Sequence, residues 1–340
     1  MIDAIFSLRF LLLIVLTVII LLSGLFATSF GAANISMLDV FTVLGHQAFS
    51  FGEITAIKER IIIELRLPRV ILAFFAGAGL ALSGSVLQTV TRNPLADPYL
   101  FGISSGASFG AVIAITAFST VGSFALPVGA FIGSTIAVLL VLAMAGNRVN
   151  QQIEKMLLSG VAVSFMFSAG TSLILYMGEP QAAASVLFWT LGSFARAQWD
   201  SLAMPVFTVL GCLVLFIGFK RQINAVLAGD ESAQTLGIPV ARLRLFMLIL
   251  SSLITATIVA HCGGIGFVGL MIPHLVRLSL GSSSIGSLWI TALVGGLFLV
   301  WVDVVARTLL TNQELPVGVI TSVIGSVFFL VILTHRKKGS

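Results

Sequence analysis

The sequence predicts an all-α polytopic membrane protein with about ten transmembrane helices. Of its 340 residues, 58% are hydrophobic and only 9% are charged, whereas a soluble globular domain has about 45–50% apolar and about 25% charged residues. This composition excludes a soluble enzyme, a disordered chain and a basic nucleic-acid-binding protein. The cysteines, Cys212 and Cys262, both lie in apolar runs, which excludes a disulfide framework and a paired-cysteine metal site.

The predicted helices are apolar stretches between polar or Gly/Pro breaks. A membrane-spanning helix needs roughly 20 mostly apolar residues, and an open sheet edge cannot lie in hydrocarbon. Arg9 stands at the start of the first stretch and small residues follow the stretch, as in a signal peptide, but its apolar core is longer than the usual length of about 7–15 residues, so we expect a retained span. In chain order the stretches are 8–28, 67–90, 104–120, 126–146, 156–177, 200–219, 243–261, 264–280, 286–306 and 315–334.

The basic residues indicate the orientation of these spans. If both termini are cytoplasmic, twelve basic residues fall inside and six outside, the asymmetry expected when the positive loops face the cytoplasm. The longest polar connections, about 29–66 and 220–242, are too short for an independent catalytic domain. We therefore expect a single transmembrane domain over residues 1–340, lying in a lipid bilayer.

Several kinds of chemistry are missing from the chain. None of the five lysines follows a glycine, so the chain lacks a G-K-[ST] phosphate loop and ATP-driven work would need a separate subunit. Ion-coupled carriers keep acidic residues within spans, but here Asp303 alone lies well inside a predicted span, four residues before Arg307. That spacing predicts a helical ion pair, which argues against a secondary carrier.

A hydrolase is the alternative from another functional class. Residues 102–106 fit the pattern G-x-S-x-G, which would make Ser104 or Ser105 the nucleophile of an intramembrane serine hydrolase. A nucleophile elbow, however, requires a strand–turn–helix setting, whereas this motif opens an apolar helix. Small residues at a helix start are the better interpretation.

Small and basic residues mark particular spans. Ala73, Gly77, Ala81 and Ser85 form a stripe at four-residue spacing that predicts close helix packing; Gly318, Ser322 and Ser326 form a second stripe that could instead line a wide passage. At the outer end of the second span Arg66 and Arg69 flank Leu67-Pro68, and with Arg307 they form a predicted cationic cluster. Such arginines either snorkel to the interface or bind carboxylates of an external partner.

Residues 229–237 predict a short cytoplasmic helix. Asp230 can cap its start, acidic residues fill its first turn, and Gly237 ends it. The residues alone do not decide whether this element lies at the membrane surface or inserts into a partner protein.

Taken together, these positions resemble the FecCD family of ABC importer permeases, which carry iron–siderophore complexes, haem and vitamin B12. The resemblance runs in family order from residue 66 to the C-terminus. The matching strings are Arg66–Arg69, Ser83-Gly84 with Gln88, Arg92–Pro98, Gly102–Ala107, Gly229–Gly237, Gly264–Leu270 with Pro273-His274 and Arg277, and Glu314–Gly318.

The resemblance implies a type II ABC importer permease fold with ten helices, paired as a homodimer around a central pathway in the bacterial inner membrane. Two cytoplasmic ATPase subunits would carry ATP and Mg²⁺, and an external binding protein would deliver the substrate; the chain itself would have no catalytic residue, cofactor or metal. Ferric siderophore is the first expectation, then haem, with cobalamin as the alternative. The implied sites are docking of the binding protein at Arg66, Arg69 and Arg307; ATPase coupling at Gly229, Asp230, Glu231, Ser232, Ala233, Leu236 and Gly237; and an inner gate at Gln152 and Ile153.

The chain departs from the family pattern at His261-Cys262. A His-Cys pair suggests a metal or haem site, but adjacent helical residues point about 100° apart and do not readily share one ion. We therefore expect His261 to be a packed histidine at a span end. His274, one turn before Arg277, is expected to fix helix geometry.

Overall fold

The computed structural model describes residues 2–31, 33–49, 55–117, 124–145, 153–280 and 288–336, and the regular secondary structure in this part of the chain is all helical, without strands. The helices are α1 (Ile2–Ser29), α2 (Met37–Phe49), α3 (Ala56–Arg60), α4 (Leu67–Thr91), α5 (Ile103–Ala117), α6 (Ala125–Ala145), α7 (Ile153–Met177), α8 (Pro180–Thr190), α9 (Trp199–Gly218), α10 (Lys220–Ala228), α11 (Asp230–Thr235), α12 (Val240–Cys262), α13 (Val268–Leu280), α14 (Leu288–Thr308) and α15 (Val317–Arg336).

The ten predicted spans coincide with α1, α4, α5, α6, α7, α9, α12, α13, α14 and α15, so the prediction of an all-α membrane protein is confirmed. Among the described residues, six helical stretches are each long and apolar enough to cross a membrane. The eighth span differs from the prediction because residues 264–267 are not helical. Its helix, α13, has 13 residues and is about 20 Å long at 1.5 Å per residue.

Helix α4 lies at the centre of the fold and packs against α9, α12, α13 and α14. The approach is closest at two glycines: a Cβ on Gly77 would lie 2.0 Å from the carbonyl oxygen of Gly295, and a Cβ on Gly84 would lie 2.0 Å from that of Gly269. Lipid tails are as apolar as the helix surfaces, so no hydrophobic effect drives helices together in a membrane. Close backbone contact provides van der Waals packing energy instead. The first small-residue stripe therefore serves close helix packing.

The helix of the second span starts eleven residues earlier than the sequence suggested, at Ala56 instead of residue 67. Residues Ala56–Thr91 form one continuous helical run, in which a π-helical segment, Ile61–Arg66, lies between α3 and α4. Pro68 can neither donate a backbone hydrogen bond nor tolerate the carbonyl one turn before it. The wider π turn accommodates that proline inside the helix.

The short helices α2 and α3 form a small outer layer that the sequence analysis did not identify. The Lys58 Nζ atom lies 2.8 Å from Asp39 Oδ1. Its hydrogen bond, with further hydrogen bonds from Ser36, lowers the pKa of Asp39 to about 2. The indole Nε1 of Trp199 donates to the carbonyl of Ile63, so the π-helical segment that continues α3 is attached to the start of α9.

Helix α8 leads into a junction of non-helical backbone. Gly192 follows α8 with a φ of +79°, in the left-handed region that favours glycine. Its carbonyl accepts a hydrogen bond from the Val317 N–H at 2.9 Å, and the neighbouring Ser193 N–H donates to the Cys262 carbonyl at 2.8 Å. The ends of α8 and α12 and the start of α15 therefore meet at one place.

Candidate transport pathway, docking cluster and coupling segment

A cavity of about 500 Å³ runs along one face of α15. Gly318, Ser322 and Ser326, the second small-residue stripe of the sequence, all lie on its wall. The stripe therefore lines an open space, one of the two interpretations that the sequence left open. None of the lining residues is charged; the others are Thr190, Leu191, Gly264, Phe267, Val319 and Val323.

Non-helical backbone forms one end of this cavity. A Cβ on Gly318 would lie 2.4 Å from the Gly264 carbonyl oxygen and 2.5 Å from that of Leu191, and the Gly318 N–H donates to the Leu191 carbonyl at 3.0 Å. Only a glycine allows the three segments to approach this closely. Irregular backbone at membrane depth is tolerated where it is buried in protein or lines a cavity, and this junction does both.

Phe267 has a strained backbone beside the cavity. Its φ of +67° lies in the left-handed region, which is a genuine outlier for a bulky side chain. The ring packs into the notch left by Gly325, where a Cβ would lie 2.4 Å from it, and its centroid is 6.4 Å from that of Phe329. The loop before α13 is thereby packed against α15.

The three arginines that the resemblance assigns to docking lie together at the N-terminal end of α4. Arg69 Nη2 lies 2.8 Å from Asp303 Oδ1 and 2.8 Å from Glu314 Oε2, and its Nη1 donates to Glu314 Oε1 at 2.8 Å. Arg307 Nε lies 3.3 Å from Asp303 Oδ2, so the predicted i,i+4 ion pair is present. Arg66 donates to the backbone carbonyls of Thr28, Ser29 and Ala33 at 2.7–2.8 Å.

Burial distinguishes the members of this cluster. The side chains of Arg69 and Arg307 are 10% and 4% exposed, and that of Asp303 is 1% exposed, whereas the Glu314 side chain is 46% exposed. The arginines thus hold this end of the helix bundle together through contacts within the chain, and Glu314 is their accessible partner. The sequence identified Glu314 as part of a family motif but not as the partner of Arg69, and the docking role of the arginines stays a prediction.

The predicted coupling segment forms the short helix α11 at the C-terminal end of α4. Gly229, with a φ of +131°, occupies the N-cap position without a side-chain cap, so the interpretation of Asp230 as the cap is wrong. Its carboxylate instead forms ion pairs of 3.1 Å with both Arg92 and Arg244. The two guanidinium groups compete with the backbone N–H groups of the first turn for the oxygen atoms of the Asp230 carboxylate.

The outer face of α11 is available to a partner. Glu231 and Ser232 are exposed and Ala233 is buried, and Gly237 ends the element with a φ of +76°. Leu236 next to it is 71% exposed, an isolated large apolar side chain beside polar neighbours.

The remaining predicted sites are the inner gate, the G-x-S-x-G pattern and the histidine at the end of α12. Gln152 lies outside the described residues, and Ile153 is the first residue of α7. The Ser105 hydroxyl donates to the Gly102 carbonyl at 3.0 Å within the start of α5, which is not the strand–turn–helix setting of a nucleophile elbow. His261 Nδ1 lies 2.8 Å from the Thr257 carbonyl oxygen of its own helix, and the described residues contain no cluster of three metal-binding side chains.

Comparison with known proteins agrees with this architecture. Residues 16–335 match the model of the FecCD transport family. The chain is 33% identical over 326 residues to the molybdate import system permease protein MolB of Haemophilus influenzae, covering 95% of each chain. It is 38% identical over 283 residues to the hemin transport system permease protein HmuU of Yersinia pestis, covering 82% of this chain and 84% of that one.

A third relative is the cobalamin import system permease protein BtuC of Halobacterium salinarum, 43% identical over 275 residues, which cover 80% of this chain and 73% of BtuC. Among solved structures, an inward-facing conformation of a metal-chelate type ABC transporter superimposes with a TM-score of 0.83 at 31% identity, covering 95% of this chain and 99% of that one. The resemblance inferred from the motifs is confirmed: the chain belongs to the FecCD family of ABC transporter permeases.

Proposed function

We propose that this permease imports metal chelates, with a ferric siderophore as the first candidate substrate and haem as the second. The observation that carries the proposal is the uncharged cavity of about 500 Å³ along α15. Hydroxyl groups and small residues on its wall offer a bulky, partly polar complex few strong contacts. Substrate affinity would then reside in an external binding protein, and the permease would supply the passage.

A homodimer is the proposed assembly. The cavity is a groove on one side of a single chain, and α15 exposes Val323 on its wall and, further along the helix, Val327 and Leu330. Helix α7, the fifth span, also exposes large apolar side chains, including Leu158 and Phe165. A second copy facing these helices would close the groove into a central pathway.

The docking cluster and the coupling segment lie at opposite ends of α4, since Arg69 is near its start and Arg92 follows its end. Its 25 residues extend about 38 Å at 1.5 Å per residue, enough to cross a hydrocarbon core of about 30 Å. This separation supports a docking cluster and an α11 on opposite sides of a membrane. We propose the bacterial inner membrane, with both termini and α11 in the cytoplasm. Two ABC ATPase subunits, which bind ATP and Mg²⁺, would dock on α11, and the binding protein would dock outside.

Docking at Arg69 requires a carboxylate to displace Glu314, because the guanidinium already has two carboxylate partners. A Glu314→Gln variant is expected to strengthen binding of the loaded binding protein several-fold at low salt, since it removes the competing charge. The matched control is Glu231→Gln at the opposite end of the molecule. Equal affinities of wild type and Glu314→Gln would contradict docking at this cluster.

The substrate is tested in proteoliposomes that contain the permease, its cognate ATPase and its cognate binding protein. The probes are ⁵⁵Fe-labelled ferrichrome and enterobactin, haemin, cyanocobalamin and molybdate. We expect ATP-dependent accumulation of iron, as siderophore or haem. Accumulation of cobalamin or molybdate alone would overturn the substrate assignment, and accumulation of none with a loaded binding protein would overturn the importer.

A further inference from the structure

A buried arginine connects the coupling segment to the helical core. Arg244 on α12 is 1% exposed. Its Nε donates to the Val90 carbonyl in the last turn of α4 at 2.7 Å, and its Nη2 donates to the two Asp230 carboxylate oxygens at 3.1 and 3.3 Å. One guanidinium therefore joins α11, α4 and α12.

Helix α11 also packs against α10 and α12. Ala233 is its buried residue, and within the described part of the chain its ion pairs all come from Asp230. The glycines at its two ends have φ values of +131° and +76°, and such residues can absorb a change of backbone angle at a hinge. Besides this packing, the Asp230 carboxylate joins α11 to the core through two arginines, Arg244 and Arg92, the latter at the C-cap of α4.

The contacts continue from this end of α4 to the pathway. Gln88, two residues before Val90, donates to the Gly269 carbonyl at 3.0 Å and accepts a hydrogen bond from Arg277, and both partners belong to α13. The residue before α13 is Phe267, whose ring fills the notch at Gly325 on α15. Each step from α11 to the cavity wall is thus a direct contact.

We infer that Arg244 is a positioning residue that transmits movement of α11 to the α4 end, and through Gln88 and α13 to the pathway helix α15. This inference rests on the proposed function, in which an ATPase moves α11. A buried guanidinium that loses its carboxylate is strongly unfavourable, so Asp230 and Arg244 move together rather than slide apart. A lysine cannot replace it, because an ammonium lacks the planar fork that reaches two acceptors at once.

The experiment measures the accessibility of the cavity wall and not of the coupling segment. A Ser322→Cys substitution places a thiol on that wall, and the native cysteines Cys212 and Cys262 are buried. The permease with its cognate ATPase in nanodiscs is labelled with a maleimide in the absence of nucleotide and after trapping with ADP and vanadate. The ratio of the two labelling rates reports the ATP-dependent change of the pathway.

Asp230→Asn and Arg244→Lys are compared with Arg242→Lys, an exposed arginine two residues away on the same helix. We expect the ratio of labelling rates in both test variants to fall at least five-fold from its wild-type value toward 1, while the variants still bind the ATPase. The control variant should keep the wild-type ratio. If Arg244→Lys does not fold, Asp230→Asn still tests the inference, because Asn preserves the shape of the Asp230 side chain.

Two results would overturn the inference: a wild-type ratio in Asp230→Asn or in folded Arg244→Lys, or loss of ATPase binding in these variants, which would make Asp230 a docking contact instead. Failure of the proposed function is distinguishable. In that case the wild-type permease itself would bind no ATPase or would show no nucleotide-dependent labelling.

Discussion

Replacing Asp303 with asparagine removes a buried carboxylate shared by two arginines. Its oxygens lie 2.8 Å from Arg69 Nη2 and 3.3 Å from Arg307 Nε, and the Asp303 side chain is 1% exposed. The neutral amide leaves two buried guanidinium groups with less negative charge between them. Arg69 keeps Glu314 as its remaining partner, so the loss is concentrated on Arg307 and on the packing of α4 against α14.

Breaking a buried ion pair by removing one partner costs about 3–5 kcal/mol. One kcal/mol lowers the unfolding temperature by about 2 °C in a chain of this size, so Asp303→Asn is expected to unfold about 6–10 °C below wild type. Glu314→Gln is the matched comparison, because its side chain is 46% exposed. Partly exposed pairs contribute up to about 1 kcal/mol, so the expected shift is about 2 °C.

The assay is thermal unfolding in detergent with a thiol-reactive fluorophore. Cys212 and Cys262 are both buried in the native state and become reactive on unfolding. The reasoning would be refuted if Asp303→Asn unfolded within about 2 °C of wild type, or if Glu314→Gln lowered the unfolding temperature as much as Asp303→Asn.

Three further predictions use other parts of the molecule. Gly77→Ala places a Cβ 2.0 Å from a carbonyl oxygen of α14 and should destabilise the folded protein by about 1–3 kcal/mol. The control Gly211→Ala, whose Cβ meets no atom within 4 Å, should not destabilise it in the same unfolding assay. Leu236→Glu, at a 71% exposed site, should leave the unfolding temperature unchanged but weaken ATPase capture on affinity beads, and full capture would argue against this contact. Alanine at both Ser104 and Ser105 should preserve transport; loss of a measurable peptide-hydrolysis activity would instead support a hydrolase.

The spans could be predicted from sequence because each is a local property. Apolar length identifies a helix such as α12, and four-residue spacing identifies the Asp303–Arg307 pair, which the structure contains. Helix α8 was missed because its 11 residues are too few for a span and it begins soon after α7. The start of α4 was misplaced because Pro68 normally marks a first helical turn, whereas a π-helical segment accommodates it here.

The polar contacts could not be predicted in the same way. Glu314 and Arg69 are 245 residues apart, and Arg66 binds backbone carbonyls, which carry no sequence signature. Asp230 satisfied the local rule for a helix cap, but two arginines brought close by the fold bind its carboxylate instead. The sequence could thus mark these positions as motif residues, whereas their partners depended on tertiary packing.

The central claim is that this chain is a conduit that depends on a separate ATPase for uphill transport. The most direct measurement compares proteoliposomes containing the permease alone with proteoliposomes that also contain the cognate ATPase, both supplied with ATP and the loaded binding protein. We expect accumulation above the external concentration only when the ATPase is present. Uphill accumulation by the permease alone, driven by ATP or by a proton gradient, would contradict the account.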